Sequence, residues 1–490
     1  MTLLHDPWNG RAFGLGLLTL GLAIAGAPRE ALAQAGADAP RPAVAAEAPL
    51  ALDLPVQRAQ LGNGLRVVLS VDRAAPVVAV AVTYDVGSRD DPQGRSGLAH
   101  LIGRILLEGG RNAPRGEARR LVEARGGTLE AGTFRDSTRF VQVLPSGEFA
   151  LGLWLEADRM RSRDIDPETF ERQRRAALEE CRGRVEGAPR AAGARRLEEL
   201  VFQGSWPYAH PTLGTAADLA GIPVEAARDL RARYGPERAV VSVVGDIDPG
   251  AALALVRRTF EGIPRAGAAP AAPAPLAADA PQPAQADPRA AAVQDAAARA
   301  PGLLYGWPAP PLAHPDRHAL AVAAILLGGG DAARLSQVLV RERGLAHEVW
   351  ATLDARRGPG LFAVEARLGG GASIAEAQKL IEGEIAALAD RGPAEPDLAR
   401  ARRRAQAALV ADLGPLGARA ARLGEVEMTL GDARRLGEDL ARYAAVTRED
   451  VQRAVRTHLA PARRSLVETR PIEQPATGAT RATPREGTAP

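Results

Sequence analysis

Residues 94–104 read Gly-Arg-Ser-Gly-Leu-Ala-His-Leu-Ile-Gly-Arg. A helical pattern starts near Gly97 and runs to Glu108, where Gly109-Gly110 closes it. Residues four apart share a helix face, so His100 and Arg104 are neighbours on it. A glycine at 103, inside that helix, costs about 1 kcal/mol relative to alanine, which makes it an odd choice for packing alone. Two strand patterns precede the helix, LRVVLSV at 65–71 and VVAVAVTYDV at 77–86, separated by the turn-like DRAAP. Helical patterns follow around 116–125, 147–160 and 167–184, with strand patterns around 128–144 between the first two. A helix near 224–234, the strand AVVSVVG and a helix near 249–260 complete a first block, residues 55–264.

Residues 265–284, RAGAAPAAPAPLAADAPQPA, cannot build a core and are expected to be a linker. A second block covers 285–470, and 471–490 is expected to be a disordered tail. The blocks look like copies. VEAARDLRARYGPERAVVSVVG in the first and REDVQRAVRTHLAPARRSLVET in the second both read helix, Pro turn, strand, with Pro236 and Pro461 in corresponding places. Chance similarity in an Ala/Arg-rich chain is the alternative. A true duplication implies the α+β class, with two homologous halves that each own a sheet and a core.

The chain has 490 residues, 46% hydrophobic and 25% charged, as an ordinary globular protein does. A net charge of +3 gives no electrostatic footprint for nucleic acid. The arginine runs RMRSRD at 159–164 and RARRR at 400–404 are expected to be solvated helix faces. With one cysteine, Cys181, neither an intrachain disulfide nor a thiolate zinc site can form. A buried, inert thiol is expected there, a disulfide-linked homodimer being the alternative. Arg11, the apolar run AFGLGLLTLGLAIAGA and Ala31-Leu32-Ala33 have the order of a signal peptide. This predicts a signal at 1–33 cleaved after Ala33, a flexible leader at 34–54, and an exported, periplasmic protein with no membrane attachment after signal removal. An uncleaved anchor is the alternative.

With these residues in view, the chain resembles the pitrilysin/insulinase family of zinc metallopeptidases, whose members read G-x-x-G-L-A-H-x-x-E-H. LGNGLRVVLSVDRAAP at 61–76, VTYDVGSRDDP at 82–92, LWLEADRM at 153–160, PYAHPTLGT at 207–215 and VVGDID at 243–248 match its phrases in order. LLGGGDAARLSQVLVRERGLAH at 326–347 matches its C-terminal signature. The resemblance implies two mainly antiparallel sheets with packed helices, facing each other across a cavity. In the family the two histidines hold Zn²⁺ from one helix face, the Glu between them takes a proton from zinc-bound water, and a distant Glu is the third ligand.

Carried over residue by residue, His100 matches the first histidine and Glu180 the third ligand, with Glu179 beside it. Gly103 stands at the general base and Arg104 at the second zinc histidine. A further acidic position is Gln173, and the substrate-strand Asn becomes Glu130. Glycine takes no proton, and arginine has no lone pair for a metal. His100 and Glu180 are therefore vestigial ligands that would hold zinc weakly at best, and no cofactor is expected here, although active relatives use zinc. Arg104 is expected to supply the missing positive charge by pairing with Glu180 or Glu179; a solvated Arg104 is the alternative. The family's substrate-clamping Arg and Tyr fall on Val340 and His347, with Arg341 the candidate to take over.

The expected function is that of an inactive homologue of a zinc metalloendopeptidase. It would be a peptide-recognising or regulatory subunit of an exported protease complex. Its partners would be peptide or unfolded polypeptide, and an active zinc-bearing homologue or a second copy of itself. An active endopeptidase with an atypical metal site and a stand-alone envelope peptide-binding protein are the alternatives.

Overall fold

The computed structural model describes residues 54–266 and 285–472. The expected signal, most of the leader, the linker beyond Ala266 and nearly all of the tail lie outside the described residues.

The first half places strands β1 (Val56–Gln60), β2 (Arg66–Val71), β3 (Val77–Tyr84), β4 (Thr128–Thr133), β5 (Thr138–Pro145) and β6 (Ala239–Gly245) in one sheet of order β1-β2-β6-β3-β5-β4. Its helices are α1 (Leu98–Glu108), α2 (Glu117–Glu123), α3 (Phe149–Arg161), α4 (Pro167–Cys181), α5 (Ala191–Val201), α6 (Ala216–Gly221), α7 (Val224–Arg231) and α8 (Pro249–Phe260). The second half places β7 (Arg289–Asp295), β8 (Gly302–Ala309), β9 (Ala346–Asp354), β10 (Gly360–Leu368) and β11 (Ser465–Pro471) in the order β7-β11-β8-β10-β9. Its helices are α9 (Arg317–Gly328), α10 (Ile374–Arg391), α11 (Glu395–Leu413), α12 (Leu416–Leu430), α13 (Arg435–Ala445) and α14 (Arg448–His458).

The sheets repeat one another. β2-β6-β3-β5-β4 and β7-β11-β8-β10-β9 share a path, each with a single parallel pair, β2·β6 and β11·β7. Pro236 and Pro461 each open a short 3₁₀ turn ahead of the last strand, β6 and β11. Proline suits that place because its φ is preset and its missing N–H is an orphan anyway. Two homologous α+β halves with mainly antiparallel sheets are therefore present.

Each half owns a core, as expected, and in addition shares a second one with the other half. On β3 the larger Val78, Val80 and Val82 face the core shared with α1, while the small Ala79 and Ala81 face a different one. That second core is closed by Ala420, Leu423 and Val426 of α12, a helix from the other half. Reciprocally, Leu197 and Val201 of α5 cover Leu304, Leu361 and Val467 of the second sheet. A sheet with two apolar faces must cover both, and here each half lends one helix to the other.

A correction concerns Arg159 in the run at 159–164, whose Arg161 and Arg163 are exposed as expected. Arg159 is buried, donates to the Leu106 carbonyl at 3.0 Å and pairs with buried Glu156. The phrase LWLEADRM is thus a brace. Its Asp158 carboxylate also accepts the backbone N–H groups of Asn112 and Ala113, both at 3.0 Å, which ties down the chain leaving α1. Cys181 is buried as expected, and burial pushes its thiol up to about 11.

Candidate functional site

The site begins at the entry of α1. The Asp91 carboxylate accepts the N–H of Gly97 at 2.8 Å and of Ala99 at 2.7 Å, pairing donors that a helix start leaves free. Gly97 is required twice over: its φ is 88°, and a Cβ would stand 2.8 Å from the Leu213 carbonyl oxygen. The phrase PYAHPTLGT closes over this turn. Trp206 Nε1 donates to the Asp91 carbonyl at 2.6 Å, and His210 stacks on Trp206 with its ring nitrogens 2.7 Å from the Trp206 carbonyl and 2.9 Å from that of Ser88.

Helix α4 supplies the opposite wall. Asp166 caps it by accepting the Thr169 N–H at 2.8 Å, and Pro167 is its first residue. Gln173, Ala177 and Glu180 recur at spacings of four and three and so share a face. That face meets α1. Arg104 donates from Nε to Gln173 Oε1 at 3.1 Å and from Nη1 to Glu180 Oε2 at 2.7 Å. His100 Nε2 lies 3.1 Å from the same Oε2. Arg184, one turn beyond Glu180, donates to Oε1 at 2.9 Å. Burial pushes the Glu180 carboxyl up, but the His100 contact and the charges of His100 and Arg104, with the Arg184 bond, outweigh it and hold it at about 2.

A cavity of about 280 Å³ opens here, lined among others by His100, Gly103, Arg104, Thr133, Gln173 and Glu180. A second, of about 260 Å³, lies between the halves and shares His100 and Thr133 with the first. Its far wall carries Asp354, Arg356 and Glu365. Gly103 has a packing reason after all: a Cβ on it would stand 2.6 Å from Thr133 Oγ1.

His100, Gly103, Arg104, Gln173 and Glu180 are thus brought together. Glu179 is not; it faces solvent and pairs with Arg182 at 2.9 Å. Glu130 sits on β4 opposite Val141 and therefore on the face turned to α12, away from α1. Arg341 is exposed and pairs with Asp331 at 3.0 Å. His347 is exposed at the start of the edge strand β9. None of these last three lines either cavity. Sequence reasoning missed Arg184, which helical i,i+4 spacing from Glu180 could have flagged. It also missed Asp91, which no local pattern marks.

Residues 66–216 match the family model described as insulinase (peptidase family M16), and residues 225–405 match the one described as the peptidase M16 inactive domain. An uncharacterised zinc protease of Streptomyces coelicolor is 28% identical over 404 residues, covering 82% of this chain and 86% of that protein. This chain belongs to the pitrilysin/insulinase (M16) family. The M16 fold extends over both halves. The structure of a Helicobacter pylori protease superimposes with a TM-score of 0.79 at 23% identity, covering 85% of this chain and all (100%) of that one. A peptidase M16 inactive domain from Pseudomonas fluorescens does so with 0.75 at 21% identity, covering 85% and 98%. Against the M16 pattern H-x-x-E-H, helix α1 presents His100, then Gly103 and Arg104 in the last two places.

Proposed function

We propose that this M16 chain has no peptidase activity of its own and serves as a peptide-recognising or regulatory subunit of an exported protease complex. The observation that carries this reading is the Arg104 guanidinium seated on Glu180 and Gln173. Zinc does not fit the donors present. Glu180 Oε2 already accepts Arg104 and faces His100, and Oε1 accepts Arg184. His100 is the single imidazole lining either cavity, and a guanidinium offers no lone pair. Gly103 offers no carboxylate to take a proton from water, and the carboxylates that line the cavity beside it, Glu108 and Glu180, are each paired with arginines. No cofactor is assigned to the site.

Peptide recognition is supported by β4, the last strand of its sheet, which borders the cavity through Thr133. Its outer edge offers backbone donors and acceptors to an extended peptide or unfolded polypeptide. Glu130, Arg341 and His347 remain the proposed substrate contacts on peripheral surfaces. The complex would pair this chain with a zinc-bearing homologue or a second copy. Division into domains at 55–264 and 285–470 is part of the same proposal. Export to the periplasm rests on the signal-like N-terminus. Among the described residues no helix is long and apolar enough to cross a membrane.

Co-purification from the native host, followed by peptide cleavage with and without the captured partner, tests the reading. Cleavage should require the partner and stop when the partner's zinc is chelated. Chelator-sensitive cleavage by this chain alone would overturn it.

A further inference from the structure

We infer that the second half carries a divalent-cation site of its own, formed by His314, Asp316 and His458. It lies outside the degenerate M16 centre and is independent of the proposed function. His314 and Asp316 belong to the loop that launches α9, and His458 is the last residue of α14. One ligand atom from each of the three lies within 4.8 Å of the others.

A cation here would take the place of the hydrogen shared by Asp316 and His458, with only one oxygen of Asp316 held by an arginine. Asp316 divides its oxygens: Oδ1 accepts Arg453 Nη2 at 2.9 Å, while Oδ2 faces His458 Nε2 at 3.0 Å. A ligating carboxylate is typically oriented in this way, with its second oxygen hydrogen-bonded. His314 Nδ1 accepts the Asp316 backbone N–H at 3.1 Å, so that lone pair is engaged and the ring would have to turn to give a nitrogen to the ion. The two imidazoles meet edge to face with centroids 5.6 Å apart. An Asp–His hydrogen bond needs one histidine; the second imidazole brings a third ligand atom within 4.8 Å of the other two.

Two nitrogens and one carboxylate oxygen suit a borderline divalent ion such as Zn²⁺, Co²⁺ or Ni²⁺ better than Mg²⁺ or Ca²⁺. Ligand atoms about a tetrahedral zinc stand roughly 3.3 Å apart, given bonds near 2.0 Å. Asp316 and His458 already meet that spacing, and a rotation of the His314 side chain, the most open of the three, closes the remainder. Water would take the fourth position. The ion would staple the α9 loop to the end of α14, two elements 142 residues apart in the chain.

The test is titration of the full, chelator-stripped chain with Co²⁺, followed by competition with Zn²⁺. We expect one Co²⁺ per chain with the intense visible bands of a four-coordinate site. His314→Ala should weaken binding by about tenfold or more, at least what loss of a supporting residue does. His458→Gln should do the same, and His100→Ala should leave binding unchanged. An equal melting temperature of His314→Ala and the parent in chelator establishes that the variant is folded. No Co²⁺ retained at micromolar concentration overturns the inference. So does binding that survives His314→Ala. Binding lost only in His100→Ala would overturn it and the proposed function together, whereas binding lost only in His314→Ala and His458→Gln leaves that function untouched.

Discussion

Arg104 Nη1 and Glu180 Oε2 stand 2.7 Å apart although 76 residues separate them in the chain. They come from the facing sides of α1 and α4. The guanidinium brings a fixed positive charge to the carboxylate and makes a charge-assisted hydrogen bond with it. Replacing that one side chain should therefore reopen the site. In a His314→Ala background, Arg104→His places an imidazole one turn after His100, beside Glu180. The expected outcome is zinc retained through dialysis, read as metal per chain, where the His314→Ala chain retains none. Adding Gly103→Glu together with Thr133→Ala, which removes the hydroxyl 2.6 Å from a Cβ at 103, should bring chelator-sensitive peptide cleavage. A zinc-free Arg104→His chain would show that Arg104 is not what keeps the metal out.

The same contacts set a pH dependence. Glu180 titrates at about 2 in the folded chain against an ordinary 4.5. A carboxyl with a depressed folded pKa binds protons more readily when unfolded, so its stabilisation is fully present above pH 4.5 and is lost as pH falls towards 2. The full shift corresponds to about 3 kcal/mol. Asp439 behaves alike: burial pushes it up, but His318 and Arg317 outweigh this and hold it at about 2. Melting temperatures should be steady from neutrality to about pH 5 and fall steeply below pH 4. Glu180→Gln should be less stable at neutrality and show a shallower acid loss. An unchanged acid profile in Glu180→Gln would remove this carboxyl from the account.

Much of this was legible in the chain. The helix of His100, the strands around it and the repeat marked by Pro236 and Pro461 follow from local patterns: cap residues, alternation and turn chemistry act over a few residues. The meeting of Arg104 with Glu180 was foreseen because helical spacing and the family pattern both constrain it. What stayed hidden was non-local. Glu156 lies one turn before Arg159 and pairs with it locally, but nothing near Arg159 reveals that the Leu106 carbonyl, 53 residues away, will help to bury it. Nothing near Ala79 and Ala81 reveals that a helix some 340 residues later will lie on them. Gly103 read as an anomaly until Thr133, on a strand 30 residues away, showed the close approach that selects glycine.

The exchange of α5 and α12 makes the halves interdependent. Residues 55–264 alone would expose Val68, Ala79, Ala81, Val141, Val240 and Val244, the face that α12 covers. An apolar patch of that kind drives association. The separate first half should therefore be recovered as aggregate, and co-expression with 285–470 should return both to a soluble complex, as judged by size-exclusion chromatography. Leu423→Ala in α12 should cost about 2–5 kcal/mol, as for other buried leucines, and should lower the unfolding midpoint of the whole chain in urea. A soluble, monomeric first half would break this argument.

The seam between the halves is also ionic. Arg356, 2% exposed, donates from Nη2 to Glu198 Oε1 at 3.0 Å across the seam and from Nε to Asp354 Oδ2 at 2.8 Å within its own half. Its guanidinium carbon also lies 4.7 Å from the Phe202 ring centroid. Burying these charges is costly, so the pair is weak as a net source of stability, yet breaking it leaves Glu198 short of a partner in a dry place. Arg135 still reaches Glu198, so the loss should fall near the lower end of the usual range, about 3 kcal/mol for Arg356→Met. The informative measurement is a double-mutant cycle with Glu198→Gln in urea. Direct contact predicts a coupling of about 1 kcal/mol or more between the two substitutions. Additivity within about 0.5 kcal/mol would mean that the Arg356–Glu198 contact contributes no coupling across the seam.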